Sequence, residues 1–227
     1  MSKTDAEPAK RGRPRRGPDP ERYAEIVEAA AEVILDKGYS ATSIQDIADR
    51  VGILKGSLYH YVRSKEDFLY KIIKDVYDEA ISDMHTVTEG ARDPLEKLAA
   101  FVRAHVLFAA DHLVPYTIQV REFDRLSEHR RAEIREGGET YVVVLQRILE
   151  EGQREGVIDG GIDPRLASIM ITGELNSMTR WYRPDGPRTA DQLADVYVGM
   201  IVSSVASASA VESAGGIETL RSSFSRG

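Results

Sequence analysis

Apolar residues recur along most of the chain with the period of an α-helix. Ile26, Ala30, Val33 and Ile34 make the stripe of a first helix that Asp19 caps before Pro20 and Gly38 ends after Lys37. Ile44, Ile47, Ala48 and Val51 fall at i, i+3, i+4 and i+7 in a short second helix. Thr42 or Ser43 caps it, and Gly52 suits a left-handed stop. A third runs from about Leu54 to Tyr61 with one inward anchor, Leu58. A fourth opens at Ser64, where Ser-Lys-Glu-Asp approximates a capping box, and carries Phe68, Leu69, Ile72, Ile73 and Val76 to about Met84.

The same period continues beyond Gly90. Pro94 opens a helix with Leu95, Leu98, Val102, His105, Val106 and Ala109 on one face, and Pro115 starts a short one through Arg121 to Leu126. Tyr141, Val144, Leu145, Ile148 and Leu149 mark the next, and the β-branched run 142–144 does not outweigh that periodicity. Asp163-Pro164 begins a helix to Tyr182; Thr189 and Gln192 form a capping box for the last long one, to about Ala208. No strand is required, so the expected class is all-α with about nine helices. The last two long helices are apolar on more than one side. Met170, Ile171, Leu175 and Met178 share a face, with Ile169 and Trp181 elsewhere; Leu193, Val196, Tyr197, Met200 and Ile201 crowd the other helix. Such helices need two partners, and a second copy of the chain is the simplest second one, giving a homodimer through these helices.

Two short helices broken by a glycine, over 43–62, read as a helix-turn-helix. Leu58 anchors the second helix while Lys55, Gly56, Ser57, Tyr59 and His60 remain free to face a major groove. Tyr39, Ser43-Ile-Gln-Asp-Ile-Ala, Gly52, Gly56-Ser-Leu-Tyr and Ser64-Lys-Glu-Asp-Phe-Leu together resemble the head of the TetR family of one-component repressors, over about residues 20–80. His60-Tyr61-Val62 departs from the aromatic-His-Phe often found there. The resemblance implies a homodimer on a palindromic double-stranded operator, released by a small-molecule inducer. It places Ser43 and Lys65 at phosphates, Lys55, Gly56, Ser57 and Tyr59 at base edges or thymine methyls, and His60 at the backbone.

Charge changes the picture in one way. The net charge of −7 is unusual for a DNA binder, but residues 1–65 carry +2 and the remainder −9. An acidic body repels DNA while a basic head engages it, which orients the encounter. Lys10, Arg11, Arg13, Arg15 and Arg16 concentrate the positive charge in a proline-containing arm, 1–18, expected to be disordered without DNA. Within it Arg11-Gly-Arg13-Pro-Arg15 resembles an AT-hook for an A·T-rich minor groove; a basic tail touching only phosphates is the plainer alternative. The remaining divisions are a head at 19–80, a ligand-binding and dimerisation body at 81–212, and a flexible tail at 213–227. With no cysteine, no leader-like segment and no spanning stretch, a cytoplasmic protein without membrane contact is expected.

Catalysis finds little support: five histidines lack metal-ligand spacing, no glycine-rich phosphate loop occurs, and no cofactor is implied. His105 lies on an apolar helix face, as either a satisfied core residue or a ligand contact. Arg121 reaches a ligand's acid group or stays solvated, and Glu174 and Asn176 sit among apolar neighbours where one of them should find a ligand, a partner chain or a core group. Arg180-Trp181-Tyr182-Arg183-Pro-Asp-Gly-Pro is similar to a junction in those TetR-type repressors that answer to acyl-CoA thioesters; arginines pair with phosphates and tryptophan stacks on adenine. The alternative is a helix stop sealing the dimer. Two other readings stay open: a multidrug-type regulator with a roomy aromatic pocket, and a DNA-architectural protein without inducer.

Overall fold

The computed structural model describes residues 19–89, 93–136 and 140–224. Twelve α-helices are present among them: α1 Pro20–Lys37, α2 Ile44–Val51, α3 Lys55–Leu58, α4 Lys65–Glu89, α5 Pro94–Asp111, α6 Leu113–Glu122, α7 Glu128–Glu136, α8 Tyr141–Arg154, α9 Pro164–Ser177, α10 Ala190–Val205, α11 Ala208–Ser213 and α12 Ile217–Ser223. Short 3-10 turns, Phe123–Arg125 and Met178–Arg180, extend α6 and α9. The described residues contain no sheet, only an isolated bridge between Ile158 and Ala206. Among the described residues no single helix is long and apolar enough to cross a membrane.

The helix ends follow from local chemistry. Asp19 accepts from Glu21 N, and Ser43 and Asp46 form a reciprocal capping box. Gly52 closes α2 at φ 73° and ψ 32°, a left-handed conformation that a side chain resists. Thr189 and Gln192 repeat the box at α10.

Two apolar cores share α4. Phe68, Leu69, Ile72 and Ile73 join Ile26, Ile34, Ile47 and Leu58 in one, whereas Val76, Ala80 and Met84 join α5, α8, α9 and α10 in the other. The first core also takes Ile118, Leu126 and Ile134 from later in the chain, each almost fully buried. A division at residue 80 therefore falls inside α4 and leaves three core side chains of the head on the far side.

Several sequence expectations need correction. α3 is a single turn instead of a helix to Tyr61. Gly56 disfavours helix, Leu54 offers no side-chain cap, and the backbone bonds tighten to i+3 (Ser57 N to Leu54 O, 2.8 Å; Tyr61 N to Leu58 O, 2.9 Å). α7, α11 and α12 are additional to the nine expected helices. The tail expected from 213 instead folds back as α12 on α10, with Leu220 buried and Arg221 Nε donating to Ser203 Oγ at 2.8 Å. α12 is too short for periodicity to announce it; docking stabilises it. Residues 225–227 lie outside the described residues. Finally, Met170 faces outward, away from Ile171, Leu175 and Met178, which are buried.

One close approach depends on glycine. A Cβ on Gly152 of α8 would lie 2.5 Å from Ile158 Cδ1 and 2.7 Å from its Cγ1. Ile158 cannot easily yield, because its own N–H donates to Gly152 O at 3.1 Å and Asp159 N donates to Val205 O at 2.9 Å. Gly152→Ala gains about 1 kcal/mol of helix propensity. Overpacking costs about 1–3 kcal/mol, and three contacts this short on a tethered side chain put it in the upper part of that range, so a net loss of about 1–2 kcal/mol is expected. Thermal unfolding checks this as a Tm lowered by several degrees; an unchanged or raised Tm would contradict it.

Candidate functional site

The exposed surface of the head is built by α2, α3 and the turns around them. The Ser43 hydroxyl accepts from Asp46 N at 3.2 Å and its own N–H donates to Asp46 Oδ2 at 2.8 Å. Lys37 Nζ donates to the same carboxylate at 2.6 Å, and this bond, with those from Ser43, holds the Asp46 carboxyl well below the usual range. α2 is thereby fixed against α1. Lys55, Gly56, Tyr59 and His60 are exposed, Tyr59 to 51 %, and Ser57 is partly so, while Leu58 is fully buried beneath them. Tyr61 stacks on Tyr23 of α1, ring centroids 6.1 Å apart, and steadies the far end of this turn. Leu54, passed over in the sequence because it read as a helix start, is 81 % exposed beside Lys55.

Lys65, expected at a phosphate, is also engaged within the head. Its ammonium donates to Tyr39 O at 2.7 Å and Thr42 O at 2.6 Å and lies 4.3 Å from the Tyr39 ring centroid. A third, longer bond reaches Ser40 O at 3.5 Å, so the ammonium closes the α1–α2 turn. Arg11, Arg13 and Arg15 lie outside the described residues.

The body holds a second cluster of polar groups, centred on buried His105, Tyr116 and Tyr141. His105 of α5 is buried, with Nε2 3.0 Å from the Tyr116 hydroxyl of α6; that hydroxyl donates to Asn176 Oδ1 of α9 at 2.7 Å. Because the single phenolic proton goes to Asn176, the phenol oxygen accepts from His105 Nε2–H. His105 Nδ1 is then a lone-pair acceptor, and it has no partner among the described residues. The Tyr141 ring of α8 stands edge-on to His105, centroids 5.4 Å apart, and its hydroxyl is likewise unpaired. Thr172 Oγ1, one turn before Asn176, and Gln119 Oε1, nearly one turn after Tyr116, are also buried and unpaired. Four orphaned polar atoms on four helices are costly unless something hydrogen-bonds them. Burial pushes the His105 imidazole down to about 3 and raises the Tyr116 and Tyr141 phenols, so the whole cluster is uncharged near neutral pH.

The other expected ligand residues divide. Asn176 belongs to the cluster. Glu174 is exposed and points away from it, because two residues on a helix are about 200° apart. Arg121, Arg180 and Trp181 are exposed too, but not scattered: Arg121 Nη2 donates to Thr179 O at 3.4 Å, which brings the end of α6 to the end of α9. Two arginines and a half-exposed tryptophan thus occupy one corner. Arg183 instead pairs with Asp185 through two bonds of 3.1 and 3.3 Å. Tyr116, Tyr141 and Thr172 escaped the sequence reading because a tyrosine or threonine on an apolar stripe looks like ordinary core.

Body and head are linked by hydrogen bonds. Glu122, at the end of α6, accepts from Tyr39 N at 3.2 Å. Glu66 at the start of α4 accepts from Ser127 N at 2.8 Å, which lowers its carboxyl, and Arg130 pairs with Asp67 while lying 4.8 Å from the Tyr70 ring centroid.

The outer faces of α9 and α10 carry Leu166, Ile169, Met170, Val196 and Met200, all exposed, the two methionines to 66 % and 61 %. The spacings 166–169–170 and 196–200 place each set on one stripe.

Comparison with known proteins gives a consistent picture. Residues 26–72 match the domain described as bacterial regulatory proteins, tetR family, and residues 91–205 match the tetracyclin repressor-like C-terminal domain. The HTH-type transcriptional repressor KstR2 of Mycolicibacterium smegmatis is 31% identical over 194 residues, covering 81% of this chain and 90% of the relative. The fatty acid metabolism regulator protein of Bacillus subtilis is 31% identical over 186 residues, covering 81% and 95%. Among solved structures, AibR in complex with isovaleryl coenzyme A and operator DNA superposes with a TM-score of 0.72 at 30% identity, covering 79% of this chain and 97% of that one.

Proposed function

The chain belongs to the TetR family of bacterial regulatory proteins, and from that premise we infer that it is a homodimeric repressor released from its operator by an acyl-CoA thioester. The observation that carries the ligand class is the polarity of two helices. α6 holds Tyr116 inside and Arg121 outside, five residues on; α9 turns the half-buried Asn176 to the Tyr116 hydroxyl, and Arg180 follows four residues later on the surface. At 1.5 Å per residue the buried uncharged end and the cationic end are roughly 6–8 Å apart along each helix. A thioester has that shape: a neutral acyl end that suits an interior without counter-charge, and phosphates that suit arginines beside a stacking tryptophan. A free fatty acid would bring an unpaired carboxylate into the cluster, which is strongly unfavourable. The B. subtilis relative is named for fatty acid metabolism and AibR was solved with an acyl-CoA, and both facts agree with this reading.

On DNA, each α3 turn enters a major groove with Lys55, Gly56, Ser57 and Tyr59 at base edges, Leu54 against a thymine methyl, and Ser43 and His60 at phosphates. The outward stripes of α9 and α10 pair with those of a second copy in a four-helix interface, which fixes the half-site spacing. Ligand reaches the head through α6, since Tyr116, Ile118 and Glu122 stand in the body cluster, the head core and the Tyr39 contact respectively. Only a difference in ligand affinity between the two head arrangements counts; near-complete release requires about 5.5 kcal/mol of it.

Two measurements test this. Tyr59→Ala should cost about 1–3 kcal/mol of specific operator affinity, with helicity and dimerisation intact; undiminished binding in a gel-shift titration would remove α3 from the groove. In the same assay, long-chain or ring-bearing acyl-CoA thioesters should release the operator, and the corresponding free acids far less well. Release by lipophilic cations with thioesters inert would favour a multidrug regulator instead. Binding without sequence preference or inducer would favour the architectural reading.

A further inference from the structure

A large groove lies away from both surfaces described above. It encloses about 600 Å³ between α1, α4 and the start of α6, and its floor is apolar: Tyr23, Val27, Ala31, Ile72, Val76 and Val114. Its walls are acidic. Glu28 and Glu32 stand one turn apart on α1, and Asp75 and Glu79 one turn apart on α4, so two carboxylate rows flank the floor. Lys71 is the cation among the lining residues and pairs with Asp75 at 2.7 Å; the His112 ring lies 3.4 Å from Glu79, and Glu32 is engaged by Arg50 at 2.5 Å. Glu28 has no ion-pair partner among the described residues.

We propose that this groove is where the basic arm, residues 1–18, docks when the protein is off DNA, and that DNA draws the arm out of it. Three observations identify this occupant. The described chain begins at Asp19, and Pro20 itself lines the groove, so the arm starts at its edge. The arm carries Lys3, Lys10, Arg11, Arg13, Arg15 and Arg16 against Asp5 and Glu7, a surplus of four positive charges facing walls with a surplus of carboxylates. Its three prolines, Pro8, Pro14 and Pro18, supply compact apolar rings for an apolar floor. Tethering makes the encounter intramolecular, at an effective concentration of order millimolar, so weak contacts suffice. The same arginines cannot serve acidic walls and phosphates at once, so the groove competes with DNA for them. Since the groove lies between head and body elements, the arm's position also reports on how those elements sit. The exchange with DNA rests on the DNA-binding reading above; docking in the groove does not.

The chain has no cysteine, so Gly12→Cys gives one site for a nitroxide on the full-length protein. Without DNA, methyl signals of Val27, Ile72, Val76 and Val114 should broaden selectively. Val51 and Ile53 serve as controls on the opposite side of the α1 start, where Arg22 Nη2 reaches Val51 O at 3.5 Å. The broadening should fall several-fold in high salt, in Glu28→Gln with Asp75→Asn, and on adding a short A·T-rich duplex. Equal broadening of groove and control methyls, or selective broadening that survives the double substitution or a bound duplex, would overturn the proposal. If the duplex does not bind at all, the exchange of the arm with DNA fails, and the comparison of groove with control methyls decides docking by itself.

Discussion

Replacing Met170 and Met200 together by glutamate is expected to give a folded monomer that no longer holds a two-half-site operator. Both side chains are largely exposed in the single chain, so the substitutions barely touch its own core and should change monomer stability by no more than about 0.5 kcal/mol each. Across a two-fold interface each would appear twice, bringing four carboxylates to one apolar seam. An unpaired charge buried in this way costs about 3–5 kcal/mol, so even partial burial weakens dimerisation by at least 10²-fold. Operator affinity then falls further, because a monomer loses the linked second half-site, worth roughly 10²–10⁴. Sedimentation equilibrium with a gel-shift titration measures both. A variant that remains dimeric at wild-type concentrations would place the interface on another face.

The second large effect concerns acid stability. The His105 pKa is about 3 in the fold, against 6.5 for the unperturbed side chain. Above pH 6.5 both states leave the imidazole neutral and the residue adds no pH dependence. Below it the unfolded chain takes up a proton that the folded chain refuses, so stability falls as pH falls, by about 1.4 kcal/mol per unit, until the folded value is reached. Between pH 6.5 and 4.5 this amounts to about 3 kcal/mol per chain. His105→Phe removes that slope while keeping an aromatic ring in the cluster, so its urea-unfolding free energy should decline less steeply over the same range. Parallel curves for variant and wild type would show that His105 is protonated in the folded state. The same substitution removes Nε2 from the Tyr116 hydroxyl, so thioester release should weaken as well.

Much of this protein was legible in its sequence, and the reason is physical. Caps and stops act over three or four residues, so Asp19, Ser43, Gly52, Thr189 and Gln192 could be read at sight. Long amphipathic stripes identified the helices from α4 to α10, apart from α7. What escaped depended on contacts between distant segments. α12 is stabilised by docking on α10, and α7 by Ile134 in the head core and Arg130 at Asp67; neither has a long stripe of its own. The buried cluster was only half visible. His105 and Asn176 drew attention as polar residues on apolar faces, but their link through Tyr116 spans 60 and 11 residues. At the surface corner Arg180 and Trp181 drew attention as a cation and a stacking ring, but that Arg121 meets their segment, 58 residues away at Thr179, could not be read from either stretch alone.

The sharing of the head's core has a consequence for how such proteins can be recombined. Ile118, Leu126 and Ile134 fill space beneath α1 and α4, so a head excised at the apparent boundary near residue 80 would open a cavity where three large aliphatic side chains had been. Truncating even one such side chain commonly costs about 2–5 kcal/mol, a sizeable fraction of a domain's stability. The DNA reader is therefore not a detachable cassette. A working chimera would have to carry the α6–α7 segment with its new head, and operator preference and ligand response would be inherited together across that seam.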